Sequence, residues 1–362
     1  MYLTLPALPF LFSPFSMLGA QRHYSCSHKT QGGTAMTTTV RIATFNLENF
    51  DDKPNTKPTI EERIALMRPQ LLRINADILC LQEVNGQEQS GQPRRLLALE
   101  KLLATTPYDA YHRVSTMTTD GTQVYDERNL VILSRFEIVS RQQHNPADAP
   151  LYRMITAVPA QSQAKEMLWE RPILQATIQL DTTRRMDIFN VHLKSKIPTD
   201  IPGQKLDNYT WKSCTAWAEG SFISSMKRMG QALQTRKLVD ALFDSNANAL
   251  VVICGDFNAE ADEVPLEAIR GDVENTGNPK LAERVLVPCE RTVPQSSRFS
   301  LIHQGRGTML DHLLVSRSLL ASYRATEIHN ELLHDESVAF ATDEKFPESD
   351  HAPVVAEFIL PD

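Results

Sequence analysis

Several short apolar runs in this chain end abruptly in a carboxylate or an amide. Residues 40–45 run into Asn46, residues 78–82 into Glu83, and residues 249–254 into Gly255-Asp256-Phe257-Asn258. A run of that length fits a buried β-strand. The polar side chain at its end leaves the core while the sheet holds it rigid. Further runs at 130–134, 173–180, 186–193, 310–316 and 354–360 read as strands. Helix-period segments alternate with them. Thr59 and Glu62 form a capping box ahead of Ile60, Ile64 and Met67, and Pro69 is expected to kink or restart that helix. Leu96, Leu99, Leu102 and Leu103 mark a second helix over 95–105, and a third spans 231–243. Such alternation specifies an α/β domain, and no repeat, low-complexity tract or linker divides it. Residues 142–170, with their prolines, read as a surface excursion. Residues 194–229 read as an insertion holding Tyr209, Trp211 and Trp217.

The 362 residues carry a formal net charge of −7, so this chain does not coat nucleic acid through charge alone. A surplus of carboxylates is compatible with a divalent cation, and a phosphate-bearing ligand would then need a local basic patch. The cysteines are Cys26, Cys80, Cys214, Cys254 and Cys289, with no C-x-x-C spacing. Buried reduced thiols are the reading preferred over a disulfide framework, which points to a reducing compartment.

Residues 2–20 are apolar but broken by Pro6, Pro9 and Pro14, and no Lys or Arg precedes them. Neither a membrane helix nor a regular secretory signal is expected there. Met36 stands just ahead of the first strand. Residues 1–38 therefore read as an N-terminal extension, disordered or belonging to a mis-assigned start. A degenerate signal peptide over residues 1–20 is the rival reading. The first implies a cytoplasmic protein and the second a secreted one.

A lone Asp after a strand is usually a turn or helix-cap residue, and a lone His within a strand is usually a satisfied core residue. That reading weakens at Asp256, where Gly255 frees the backbone and Asn258 follows. It weakens further because Glu348-Ser349-Asp350-His351 repeats the theme. Glu83 and Asp350 suit a hard cation such as Mg²⁺, with Mn²⁺ as a substitute, and no Cys/His pattern with zinc spacing occurs. Asp311 lies in Met309-Leu310-Asp311-His312, where apolar neighbours would bury it. A buried Asp needs a partner, and His351 is the candidate. Such a carboxylate would favour the protonated imidazole. His192, in Asn190-Val191-His192-Leu193-Lys194, is expected to point toward Lys194 and Lys196.

Taken together, these segments resemble the endonuclease/exonuclease/phosphatase superfamily of metal-dependent phosphoesterases, on its deoxyribonuclease-like branch. The matching stretches are Ile42-Ala43-Thr44-Phe45-Asn46-Leu47, Ile78-Leu79-Cys80-Leu81-Gln82-Glu83-Val84, Asn190-Val191-His192-Leu193, Gly255-Asp256-Phe257-Asn258, Leu310-Asp311-His312-Leu313-Leu314-Val315-Ser316 and Ser349-Asp350-His351. All six stand in family order. The resemblance implies a four-layer αββα sandwich of two mixed β-sheets flanked by helices, formed by one catalytic domain over 39–362. It also implies that Glu83 is the principal Mg²⁺ ligand, with Asn46 and Asp350 close to the metal. Asp256 would orient or deprotonate water, and Asn258 would hold a phosphate oxygen. His351, oriented by Asp311, would stabilise transition-state charge together with His192. In that branch an upstream carboxylate often orients the histidine, and Glu127 in Asp126-Glu127-Arg128-Asn129 is the choice here; a solvated turn carboxylate is the alternative.

A monomeric Mg²⁺-dependent nuclease is the expected function. Nucleic acid would meet Lys194, Lys196, Lys212, Lys227 and Arg228, with Trp211 and Trp217 stacking on bases. The alternative for these tryptophans is to pack the insertion onto the body. The alternative function is a phosphatase or phospholipid-headgroup phosphodiesterase, of inositol-phosphate or sphingomyelin type, acting on a phosphorylated small molecule without stable membrane insertion. A binding module that has lost catalysis would lack Glu83, Asp256 or His351, and all three are present.

Overall fold

A computed structural model describes residues 38–148, 152–155, 162–342 and 345–361. The expected N-terminal extension lies outside these residues except for Thr38, where the first strand begins. The chain opens with β1 (Thr38–Phe50), β2 (Ile78–Val84), β3 (His112–Ser115) and β4 (Asn129–Ser134), all in one sheet. The second sheet takes β5 (Glu137–His144), β6 (Ile173–Gln179), β7 (Arg185–His192), β8 (Leu250–Asp256), β9 (Val287–Pro288) and β10 (Asp311–Val315). The chain then returns to the first sheet with β11 (Tyr323–Ile328) and β12 (Val354–Leu360). Strand order is β11-β12-β1-β2-β4-β3 in one sheet and β9-β10-β8-β7-β6-β5 in the other. Both sheets are mixed: β1 runs parallel to β2 and β7 parallel to β8, while the other pairs are antiparallel.

Period-two alternation sorts side chains between the layers. In β1, Val40 and Ile42 face the space between the sheets, where they meet Ile78, Ala176, Ile188 and Val252. Ala43 and Phe45 face the other way, against Met67 and Leu71 of α1 (Ile60–Ile74) and Leu99 of α2 (Leu97–Leu103). The second sheet is covered in the same manner by α3 (Cys214–Ser245) and α4 (Val264–Arg270), with Phe189, Val191 and Ile253 against Val239, Phe243 and Leu266. The result is the expected αββα sandwich. Among the described residues no helix is long and apolar enough to cross a membrane.

Four local expectations are corrected. The Thr59–Glu62 capping box forms, but α1 runs through Pro69 without a restart. Pro69 is exposed, so water can satisfy the carbonyl its missing N–H leaves unpaired. The expected third helix begins 17 residues earlier, at Cys214, so only residues 195–213 form a loop insertion. Gly230 conceals that start: it lowers helix propensity, yet any side chain there would collide with the Trp169 ring. The excursion expected over 142–170 begins later, because β5 runs to His144 and pairs with β6. Part of it folds as a hairpin, Tyr152–Met154 against Lys165–Met167, while residues 149–151 and 156–161 lie outside the described residues. Cys80, Cys254 and Cys289 are buried free thiols and Cys214 is exposed; Cys26 lies outside the described residues.

A polar bridge crosses between the sheets. Asn190 of β7 is wholly buried and donates to the carbonyls of Leu81 and Val131, each at 2.9 Å. Its own amide oxygen accepts from Gln82 at 2.7 Å. These bonds fix the separation of the two sheets close to the strand ends that carry the carboxylates.

Candidate active site

Strand register brings the expected residues together. His192, Asp256 and Asp311 are direct cross-strand neighbours on β7, β8 and β10. Gly255 makes this approach possible. Its φ of 141° and its contact with the Val191 carbonyl leave no room for a Cβ, so β7 and β8 close tightly at that end. Asn46 and Glu83 arrive from the facing sheet, and Asp350 and His351 from the turn before β12.

Asp256 is the hub. Its carboxylate accepts from the Asn258 backbone N–H at 2.8 Å, from the Asn258 amide at 3.0 Å and from the Asn46 amide at 3.2 Å. His192 Nε2 lies 3.2 Å from the same group and 3.5 Å from Glu83. Burial alone would favour the neutral acid. His192, His351 and the Asn258 N–H overcome it, and the Asp256 pKa falls well below the usual carboxylate range. His192 shifts the other way: burial, then the Arg171 guanidinium, lower its pKa, while Asp256 and Glu83 oppose the shift. It turns toward Asp256 rather than Lys194 and Lys196.

Glu127 does not orient His192. Its side chain is 54% exposed and its ion-pair partner is Lys53, 3.8 Å away. A bend before β4 leaves it on the surface, as a solvated carboxylate. The His192 Nδ1 atom is buried without a hydrogen-bond partner.

On the other side of the hub, His351 Nδ1 lies 2.6 Å from Asp311 Oδ2. Burial opposes a charged imidazole there, but Asp311 and Asp350 outweigh it and raise the His351 pKa well above the ordinary value. Asn258 gives both side-chain N–H groups to protein acceptors, Asp256 and the Leu193 carbonyl at 3.2 Å. In this state it fixes the hub, and contact with a phosphate oxygen would require an exchange of partners. Asn46 is similarly engaged, its amide oxygen accepting the Glu48 N–H at 2.9 Å.

Glu83, Asp350 and Glu48 form the acidic side of the site. Glu83 accepts the Asn49 N–H at 2.9 Å, and despite burial its pKa is lowered by His192 and Arg171. Asp350 is pushed up to about 6 by burial and by Glu83, and Glu48 to about 8 by burial and by Asp350. A bound cation would compensate this crowding. Among the described residues no three His, Cys, Asp or Glu groups close on one point as a full metal cage would. Mg²⁺ needs no such cage, since it keeps several waters and takes one or two carboxylates. Glu83 supplies one, and Asp350 offers a buried Oδ1 that has no hydrogen-bond partner. The donor set fits a hard divalent cation. Four residues here hold left-handed backbone without being glycine: Glu48 (φ 48°), Asn49 (45°), Glu83 (57°) and Asn258 (47°).

Three further residues escaped the sequence reading. Glu48 carried a signal in its place two residues after Asn46. Arg63 interrupts the buried stripe Ile60, Met67, Leu71 and Ile74 of α1, and a charge inside an apolar stripe marks a special contact. At 8% exposure it donates to the carbonyls of Leu47 (2.8 Å), Glu48 (3.0 Å) and Pro347 (3.3 Å), tying the end of β1 after Asn46 to the segment before Asp350. Arg171, just before β6, donates to the Leu193 carbonyl at 2.9 Å and is drawn toward Glu83 and Asp256 by charge. The basic residues expected to meet nucleic acid are mostly committed: Lys196 pairs with Glu263 at 2.7 Å, Lys227 with Glu170, and Lys212 donates to the Gly203 carbonyl at 2.7 Å. Arg228 donates to Lys194 and Ser195 carbonyls, and Lys194 is lowered to about 8 by burial. Trp211 packs beside Met167, Ile201 and Ile223 and so joins the insertion to the body, while Trp217 is 52% exposed.

The model of the Endonuclease/Exonuclease/phosphatase family matches residues 43–351. Among solved structures, one from Bacteroides thetaiotaomicron described as an endonuclease/exonuclease/phosphatase family protein aligns with a TM-score of 0.54 at 16% identity, covering 90% of this chain and 97% of that one. TDP2 from Caenorhabditis elegans aligns with a TM-score of 0.52 at 15% identity, covering 89% and 74%. At these identities the likeness shows a shared fold. No match is found among curated proteins.

Proposed function

Because this chain belongs to the Endonuclease/Exonuclease/phosphatase family, we propose that it is a divalent-metal-dependent phosphodiesterase whose substrate is nucleic acid. The observation that carries the reading is the Asp256 hub, an ionised carboxylate held by Asn46, Asn258 and His192 next to a buried, charged His351. Its oxygens would orient water and take its proton as the water oxygen bonds to phosphorus, while the P–O bond to the departing ester oxygen breaks and that oxygen takes a proton from solvent. The low basicity of Asp256 delays that transfer until bond formation has made the water acidic. The His351 imidazolium, fixed by Asp311, offers positive charge where the phosphoryl oxygens gain negative charge. A bound Mg²⁺, held by Glu83 and Asp350, would supply further neutralisation of the phosphoryl group. Arg171 adds a guanidinium on the His192 side.

Nucleic acid is favoured over a small phosphoester because cationic side chains extend beyond the hub, from Arg171 to Arg128. Plasmid DNA, single-stranded DNA, RNA, inositol phosphates and sphingomyelin, each incubated with Mg²⁺ or EDTA, would test it. Mg²⁺-dependent cleavage of a nucleic acid is the expected result. Turnover of inositol phosphates or sphingomyelin alone would assign the protein to the phosphatase or headgroup-hydrolase alternative.

A further inference from the structure

Beside Glu48 and Asn49 the surface opens into a cleft of about 760 Å³. Its lining includes Lys53, whose ammonium is paired, and Arg128, whose backbone is anchored from below. Asn85, 1% exposed, accepts the Arg128 backbone N–H at 2.8 Å and donates to Asp51 at 3.3 Å. Asp51 also lies 3.3 Å from the Lys53 ammonium, which Glu127 approaches at 3.8 Å. Arg128 is held at a φ of 60°, a conformation that costs a non-glycine residue free energy and tends to persist where function needs it. Its side chain is exposed, and no carboxylate among the described residues pairs with it. The segment from which sequence reasoning took Glu127 thus contributes Arg128 instead.

The lining is also aromatic. Tyr209, from the loop insertion, lines the cleft at 74% exposure. Phe346 lines it too, one face stacked on His334 with centroids 4.1 Å apart and ring planes 24° apart. Cations with flat rings around one cavity match a ligand that alternates phosphate with planar bases. An inositol phosphate has the charge but only a puckered, saturated ring, with no planar aromatic face to stack.

We propose that this cleft is a nucleotide subsite, in which Lys53 and Arg128 bind the phosphate adjoining the scissile one and Tyr209 and Phe346 stack its base. The inference rests on the nuclease reading above and adds where a neighbouring nucleotide sits. Single strands fit it best, because their bases are free to stack on protein rings.

The test compares the full chain and its variants on three substrates. These are a single-stranded oligonucleotide, an abasic oligomer of equal length, and methyl p-nitrophenyl phosphate, a diester with no second phosphate. Tyr209→Ala should raise KM roughly tenfold for the oligonucleotide and leave the abasic oligomer and the small diester unchanged. Phe346→Ala should do the same and provides an independent reading of the base contact. Arg128→Ala should weaken both oligomers and reduce the slope of log KM against log salt by about 0.7, the value for one single-strand phosphate contact. Unchanged KM for the oligonucleotide in all three variants would overturn the subsite and leave the nuclease reading standing. A wild-type protein that hydrolyses the small diester but neither oligomer would overturn both.

Discussion

His351 Nδ1 and Asp311 Oδ2 are 2.6 Å apart, and the aspartate has no exposed surface. The other Asp311 oxygen is buried without a hydrogen-bond partner, so the imidazolium is the principal compensation for that carboxylate. The two side chains therefore form one unit. Asp311→Asn and His351→Ala should each lower kcat/KM by about 10²-fold, the scale of losing one charge-stabilising group. The double variant should be scarcely worse than either single one. Rates from all four proteins make the cycle, and strictly additive losses would show that the residues act separately.

Glu83→Gln should preserve the fold while removing most Mg²⁺-dependent turnover, because an amide is a much poorer ligand for a hard cation. Calorimetric Mn²⁺ titration should show weakened binding, and the thermal transition should stay close to wild type. Full activity of the wild-type protein in EDTA, with no metal detected, would remove the cation from the mechanism.

Stability should depend on pH through a pair outside the acidic side of the site. His312 Nδ1 lies 2.5 Å from Glu290, and its Nε2 lies 2.8 Å from the Ala259 carbonyl. Both neighbours are acceptors, so both ring nitrogens must donate, which requires the imidazolium. Burial opposes that charge, but Glu290 and the carbonyl prevail and the His312 pKa is raised. A raised folded-state pKa contributes stability in full below the ordinary histidine value near 6.5 and loses it as pH climbs through the folded-state value. Melting temperature should accordingly fall on the alkaline side of neutrality. Glu290→Gln should flatten that slope, and an unchanged slope would exclude the pair as its source.

The Asn190 bridge should weigh on stability more than its single side chain suggests. Asn190→Leu removes the amide donor from two buried carbonyls, while Gln82 keeps Thr44 and the Cys80 carbonyl as acceptors, and each unsatisfied group costs about 1–3 kcal/mol. Urea denaturation should show a loss of about 3 kcal/mol. A loss below about 1 kcal/mol would mean that the sheets are spaced by apolar packing alone.

Strand ends were legible in the sequence because a carboxylate after an apolar run breaks a strong pattern. Asp311 was legible for the same reason, since a charge between apolar neighbours demands a partner. Arg63 and Arg171 were not, because their work is to reach carbonyls on segments remote in sequence. The error at Glu127 has a related cause: proximity to β4 said nothing of which way a turn would point its side chain. The N-terminal half of α3 was missed because Gly220 and Gly230 make room for Trp211 and Trp169, and that requirement exists only once those rings are in place.

The left-handed backbone at Glu48, Asn49, Glu83 and Asn258 sets stability against chemistry in this protein. Each conformation is one that glycine adopts freely and that costs other residues on the order of 1 kcal/mol. Selecting a library of variants for heat resistance alone would therefore enrich glycine at these four positions. The survivors would be sturdier, and they would have shed the Glu83 carboxylate and the Asn258 amide that the proposed hydrolysis uses. Improvement by directed evolution has to screen for turnover at every round, because in this corner of the fold the stabilising substitutions and the inactivating ones are the same.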